Sequence, residues 1–279
     1  MATQRIRNEI FTFLGLTLVL SAIFYTLIIT GGGLEANGGI FVLGLMWSPG
    51  LSALIARLIF HHNLKGMGWK AGKPRYLLMA YGLPILYAGV VYGLVWWSGL
   101  GGIRTEILPS PVYLLVFATL GVVQSALSAL GEEIGWRGLL VPQLARLLGY
   151  PRTALVSGVI WALWHTPLIV FADYNSGATP TWYALLCFWI MVMGISFVFA
   201  WLVLRSGSLW PAVILHAAHN LFIQGLFDPL TTNTGPTAYL TGEFGIGLAI
   251  AGALLALIFW RLSDRLPQAA VQATPAEAG

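Results

Sequence analysis

The chain has 279 residues, of which 58% are apolar and only 9% charged, with a formal net charge of +4. An ordinary soluble domain carries roughly 25% charged residues, so a soluble globular protein is excluded. Mean hydropathy is +0.81 and the calculated pI about 9.3. Membrane topology and attraction to anionic lipid headgroups account for that basic balance, and nucleic acid is not needed as a partner.

Crossing roughly 30 Å of hydrocarbon takes about 20 apolar residues. Runs of that order occupy residues 10–30, 39–60, 76–98, 111–130, 153–171, 182–204, 211–227 and 244–262. The connections are short and rich in turn residues, as in Gly31-Gly32-Gly33. The expectation is an all-α polytopic helix bundle of about eight transmembrane helices, with residues 1–262 forming one domain. Residues 263–279, rich in Ala, Pro and Gln without periodicity, read as a disordered cytoplasmic tail.

The first run has a basic flank, but it is longer than a signal-peptide core and has no convincing small-residue cleavage site, so it reads as a retained helix. Basic residues then set the orientation. Arg5 and Arg7 precede the first run, and Lys65, Lys70, Lys73 and Arg75 follow the second. Arg137, Arg146 and Arg152 follow the fourth, Arg205 the sixth, and Arg261 and Arg265 close the eighth. The intervening loops hold Glu35, Glu106, Asp173, Asp228 and Glu243, with Arg104 as their only basic residue. Because Lys and Arg are retained in cytoplasmic loops, both termini are expected in the cytoplasm. The absence of a targeting extension suits a prokaryotic plasma membrane. The single cysteine, Cys187, lies inside the sixth run, which excludes an intrachain disulfide and a Cys-based zinc site.

Polar residues inside apolar runs carry the functional information, since a charge at the bilayer centre costs at least about 2.5–3.5 kcal/mol on insertion scales. The first group is Gly131-Glu132-Glu133-Ile134-Gly135-Trp136-Arg137. On a helix the two carboxylates point about 100° apart, so they serve different roles. Glu133 and Arg137, at i and i+4, are placed to pair, which leaves Glu132 free. The plainer reading is an interfacial charged collar.

The second group centres on His165 in Trp161-Ala162-Leu163-Trp164-His165-Thr166-Pro167. The structural alternative there is a histidine bonded to a carbonyl freed by Pro167. The third is His216-Ala217-Ala218-His219-Asn220. His216 and Asn220 share a helix face, whereas His219 borders it and reads as structural; ordinary hydrogen bonding between spans is the alternative for the pair. Under the expected topology all three groups fall in the cytoplasmic half of the membrane. A carboxylate, an imidazole and a His/Asn donor pair are the parts needed for hydrolysis of an amide by water.

These three motifs, in this order and each on a membrane helix, resemble the CAAX protease and bacteriocin-processing enzyme family, typified by the type II CAAX prenyl endopeptidases. The pattern Glu-Glu-x-x-x-Arg matches Glu132, Glu133 and Arg137; Phe-x-x-x-His matches Trp161 to His165; His-x-x-x-Asn/Asp matches His216 to Asn220. The resemblance implies an intramembrane endopeptidase in which Glu132 activates water with help from His165. His216 and Asn220 would form the oxyanion site, with Glu133 and Arg137 orienting the group. Trp161 departs from the usual Phe but keeps an aromatic wall. The implied partner is a peptide or lipidated protein at the bilayer, and the substrate stays open between a prenylated CAAX-type tail and a bacteriocin-like peptide.

Other protease classes lack their residues: there is no His-Glu-x-x-His, no membrane aspartate pair, and Ser157 is eight residues from His165 on one helix, too far for direct activation. A divalent metal such as zinc stays open, with Glu132, His165 and His216 as its candidate ligands. A non-enzymatic transporter, immunity factor or scaffold is the competing class, although the clear internal repeat usual in transporters is not seen. Residues 138–151, with Leu144 and Leu147 beside Arg146, read either as an interfacial guide for an apolar peptide delivered from the cytosol or as a plain connecting helix.

Overall fold

The computed structural model describes residues 2–267; most of the expected tail, 268–279, lies outside the described residues. The chain is an all-α bundle. Its long helices are α1 (Ala2–Gly31), α2 (Ile40–His61), α3 (Pro74–Trp97), α4 (Pro111–Leu148), α5 (Tyr150–Phe171) and α6 (Thr181–Ser206). They continue with α7 (Trp210–His219, prolonged by Asn220–Phe227 and Asp228–Leu230) and α8 (Ile246–Arg261). A two-residue antiparallel pairing of Gly102–Ile103 with Thr231–Thr232 ties two loops together.

Among the described residues, seven helices are long and apolar enough to cross a membrane: α1 to α6 and α8. The run expected at 211–227 is helical too, but His216, His219, Asn220 and Gln224 dilute its apolar content. Large apolar side chains such as Phe11, Leu78, Leu115 and Leu254 point outward, as lipid contact requires. The core helix is α6: 72% of its apolar window is buried, against 17% for α4, which lies at the rim.

Local sequence explains the ends. Pro74 and Pro111 begin helices where their missing N–H costs nothing, and the Ser110 hydroxyl caps α4 by accepting from the Tyr113 N–H at 3.2 Å. Gly149, at φ 72°, turns the chain between α4 and α5 within one residue.

The helix α4 runs unbroken through the stretch expected to lie at the interface. Leu139, Leu140 and Leu144 are buried against the bundle, so 138–148 packs as part of a long helix, and the guide reading is not supported. Past α8, Leu262–Arg265 form a 3-10 turn and Leu266 is buried.

The two ends of the bundle are fixed by loop contacts. At one end the Trp210 indole donates to the Trp69 carbonyl and Leu209 N–H to the Gly68 carbonyl. At the other, Arg104 N–H donates to the Leu230 carbonyl and the Tyr183 hydroxyl to that of Tyr239.

Candidate active site

The first motif sits where α4 presses on α2. A Cβ on Gly131 would stand 2.8 Å from the Met46 carbonyl oxygen, and one on Gly135 2.6 Å from Pro49 Cβ. Glycine on both sides of Glu132-Glu133 therefore lets two backbones approach at a distance no side chain permits. Immediately after Glu133 the helix widens into a π-helical segment, Ile134–Leu140, and α7 does the same from Asn220 to Phe227. Such segments re-aim side chains and recur at functional sites; here both follow motif residues.

The two carboxylates diverge as expected. Glu133 is fully buried, and its Oε1 accepts from Arg137 Nη1 at 2.8 Å and from His216 Nδ1 at 2.8 Å. The Arg137 guanidinium lies between the Trp161 and Phe199 rings, 3.9 Å from each. Glu132 instead turns toward a cavity. Its Oε2 accepts from the Trp161 indole at 2.8 Å and from the Trp136 indole at 3.3 Å.

His165 Nδ1 is 2.9 Å from the Trp161 carbonyl. A carbonyl only accepts, so Nδ1 carries the proton and Nε2 is left available as acceptor. That carbonyl belongs to the preceding turn and is not the one freed by Pro167. Aromatic rings enclose the imidazole: Trp164 at 4.8 Å, Phe188 at 5.1 Å and Trp161 at 5.6 Å between centroids. His216 Nδ1 pairs with the Glu133 carboxylate, and Nε2 is its remaining polar atom.

Glu132, His165, His216 and Asn220, drawn from three helices, line one cavity of about 340 Å³. Glu133 and Arg137 stand behind it. The cavity also takes in residues that the sequence did not mark as part of a site. His219, read as structural, lines the cavity while bonding Glu243 Oε1 through Nε2 at 2.8 Å and Tyr87 through Nδ1. Glu243 Oε2 accepts from Gln224 at 3.0 Å and from the Tyr174 hydroxyl at 3.2 Å. Burial works against ionisation of Glu243, yet the bonds from His219 and Gln224 hold its carboxyl below the usual range. An acidic residue beside an apolar run was its only sequence signal.

Depth needs a correction. His165 lies within two turns of the Phe171 end of α5, so it is nearer the loops that carry the acidic residues. Met46 and Phe188 face the cavity within two turns of the same end of α2 and α6. The three groups do not all lie in the basic half.

The three candidate metal ligands line the same cavity; His216 reaches Glu133 through Nδ1, and Glu132 reaches two indoles through Oε2. Among the described residues no group of three or more His, Cys, Asp or Glu is placed to hold a metal ion.

Comparison with known proteins agrees with the motifs. Residues 111–222 match the family described as Type II CAAX prenyl endopeptidase Rce1-like. A curated relative, CAAX prenyl protease 2 of Methanococcus maripaludis, is 26% identical over 186 residues, covering 65% of this chain and 61% of the relative. The chain thus spans about 61% of that relative's length. Motif order, all-helical membrane fold and matched segment concur in a similarity to the Rce1-like type II CAAX prenyl endopeptidases, carried by residues 111–222.

Proposed function

We propose that this chain is an intramembrane endopeptidase of the glutamyl type that hydrolyses a peptide bond in a membrane-associated substrate. The observation that carries the reading is the convergence of Glu132, His165, His216 and Asn220 on one cavity, beside a family match whose curated relative is named as a prenyl protease.

In this reaction Glu132 takes a proton from a water held between its carboxylate and His165 Nε2, and the water oxygen attacks the scissile carbonyl carbon. Both acceptors are preset: the indoles of Trp161 and Trp136 fix the Glu132 rotamer, and the Trp161 carbonyl fixes the His165 tautomer. The carbonyl oxygen becomes an oxyanion, stabilised by the Asn220 amide and by His216, which donates from Nε2 as an imidazolium countered by Glu133. Collapse of the intermediate breaks the C–N bond, and the proton held by Glu132 passes to the leaving amine. Glu133 and Arg137 act as positioning residues through His216 and Trp161. No step passes through a metal.

The test compares Glu132→Gln, His165→Ala, His216→Ala and Asn220→Ala with wild type for new peptide termini in membranes. All four are expected to reach the membrane folded and to lose cleavage; termini unchanged across the set would overturn the mechanism.

A further inference from the structure

The cavity has a direction. Its lining reaches the loops at one end of the bundle through Leu34, exposed Glu35, Tyr174 and Glu243. No residue of the loops at the other end, 62–73 or 207–209, lines it. The mouth end holds the acidic loop residues, and Arg104 is the only basic residue in its loops. Of the 14 Lys and Arg residues, buried Arg137 lies within α4, Arg104 lies in a mouth-end loop, and the other 12 lie toward the opposite end. Direct contacts keep the ends apart: the 207–209 connection bonds to the 62–73 loop, and the loop before α4 bonds to the one after α7.

Short loops rich in Lys and Arg stay in the cytoplasm. Taking the proposed endopeptidase as its basis, we infer that the cavity opens to the extracytoplasmic face, and that the substrate is a membrane-tethered peptide whose scissile segment is exposed on that face. A lipidated tail displayed in the cytosol would meet the closed, basic end. Leu34, Val42, Leu45 and Leu168 make one wall of the cavity apolar, which suits a segment drawn from the outer leaflet. The expected delivery from the cytosol is thereby reversed.

Cysteine accessibility tests the direction without requiring catalysis. In a Cys187→Ser background, which removes the single buried thiol, Ala178→Cys marks the mouth end and Lys70→Cys the basic end; both positions are exposed. A membrane-impermeant maleimide should label Ala178→Cys in intact cells and Lys70→Cys only after permeabilisation, with the same pattern when Glu132→Ala is added. Labelling of Lys70→Cys in intact cells, with Ala178→Cys protected, would overturn the inference and leave the protease reading standing. Loss of Glu132-dependent cleavage with the expected labelling would do the reverse. Where both hold, the Glu132-dependent termini should map to extracytoplasmic segments.

Discussion

The indole Nε1 of Trp161 donates to Glu132 Oε2 at 2.8 Å across the α4–α5 contact. This joins the first two motifs at the position where the chain departs from the family's usual Phe. A phenylalanine would keep the ring beneath Arg137 but could not hold Glu132. Trp161→Phe should lower kcat by about 10- to 100-fold, the worth of one hydrogen bond to a charged group. KM and thermal stability should stay near wild type. A kcat within twofold of wild type would show that the Trp136 bond alone fixes the carboxylate.

The adjacent carboxylates should fail differently. Glu133→Ala strands the Arg137 guanidinium, already short of partners at Nε and Nη2, in a buried site, which costs about 3–5 kcal/mol. Glu132→Gln keeps the volume at the cavity wall and should remove activity without that loss. Thermal unfolding in detergent, set beside turnover, separates the two.

Close helix approach gives a third expectation. Gly135→Ala drives a methyl into Pro49 and Gly131→Ala one into the Met46 carbonyl, and overpacking of this kind costs about 1–3 kcal/mol. Because the contact also sets the place of Glu132, turnover should fall further than stability. Gly89→Ala, with open space around its Cβ, serves as the control.

Asp228 supplies a pH dependence outside the spans. Burial, against the Tyr92 hydroxyl bond that lowers it, pushes its pKa up from 3.8 to about 6. A carboxyl raised on folding binds protons more tightly in the native state. Stability is therefore greatest below about pH 4 and falls as pH rises toward 6, by less than that shift alone would give because more than a third of the residue is exposed to solvent. Asp228→Asn, which still accepts from Tyr92, should be more stable than wild type at pH 7.5 and equal to it near pH 4. Unfolding midpoints at the two pH values check this.

Metal removal should leave turnover unchanged, since the proposed hydrolysis uses Glu132 and His165 Nε2 for water and His216 Nε2 for the oxyanion. Loss of activity on chelation, restored by zinc, would contradict that assignment.

Much of the site was legible because each motif is local: Glu133 with Arg137, and His216 with Asn220, lie one helical turn apart. Tyr174, Gln224 and Glu243 were not, since a loop, a π-helical segment and a helix entrance meet only in the tertiary fold. Helix type and order followed from apolar runs, whereas seven of the eight expected spans form helices long and apolar enough to cross a membrane among the described residues. The fate of 138–151 did not, because amphipathicity cannot tell a lipid surface from the flank of a bundle. Depth was misread at His165, where the sequence shows an apolar run but not which end of it meets the cavity.

The most direct measurement of the central claim is a mass-spectrometric survey of new peptide termini in membranes of cells lacking this protein, complemented with wild type or with Glu132→Ala at matched expression. The account predicts termini present with wild type and absent with Glu132→Ala. Identical profiles, with the cellular function rescued equally by Glu132→Ala, would contradict it.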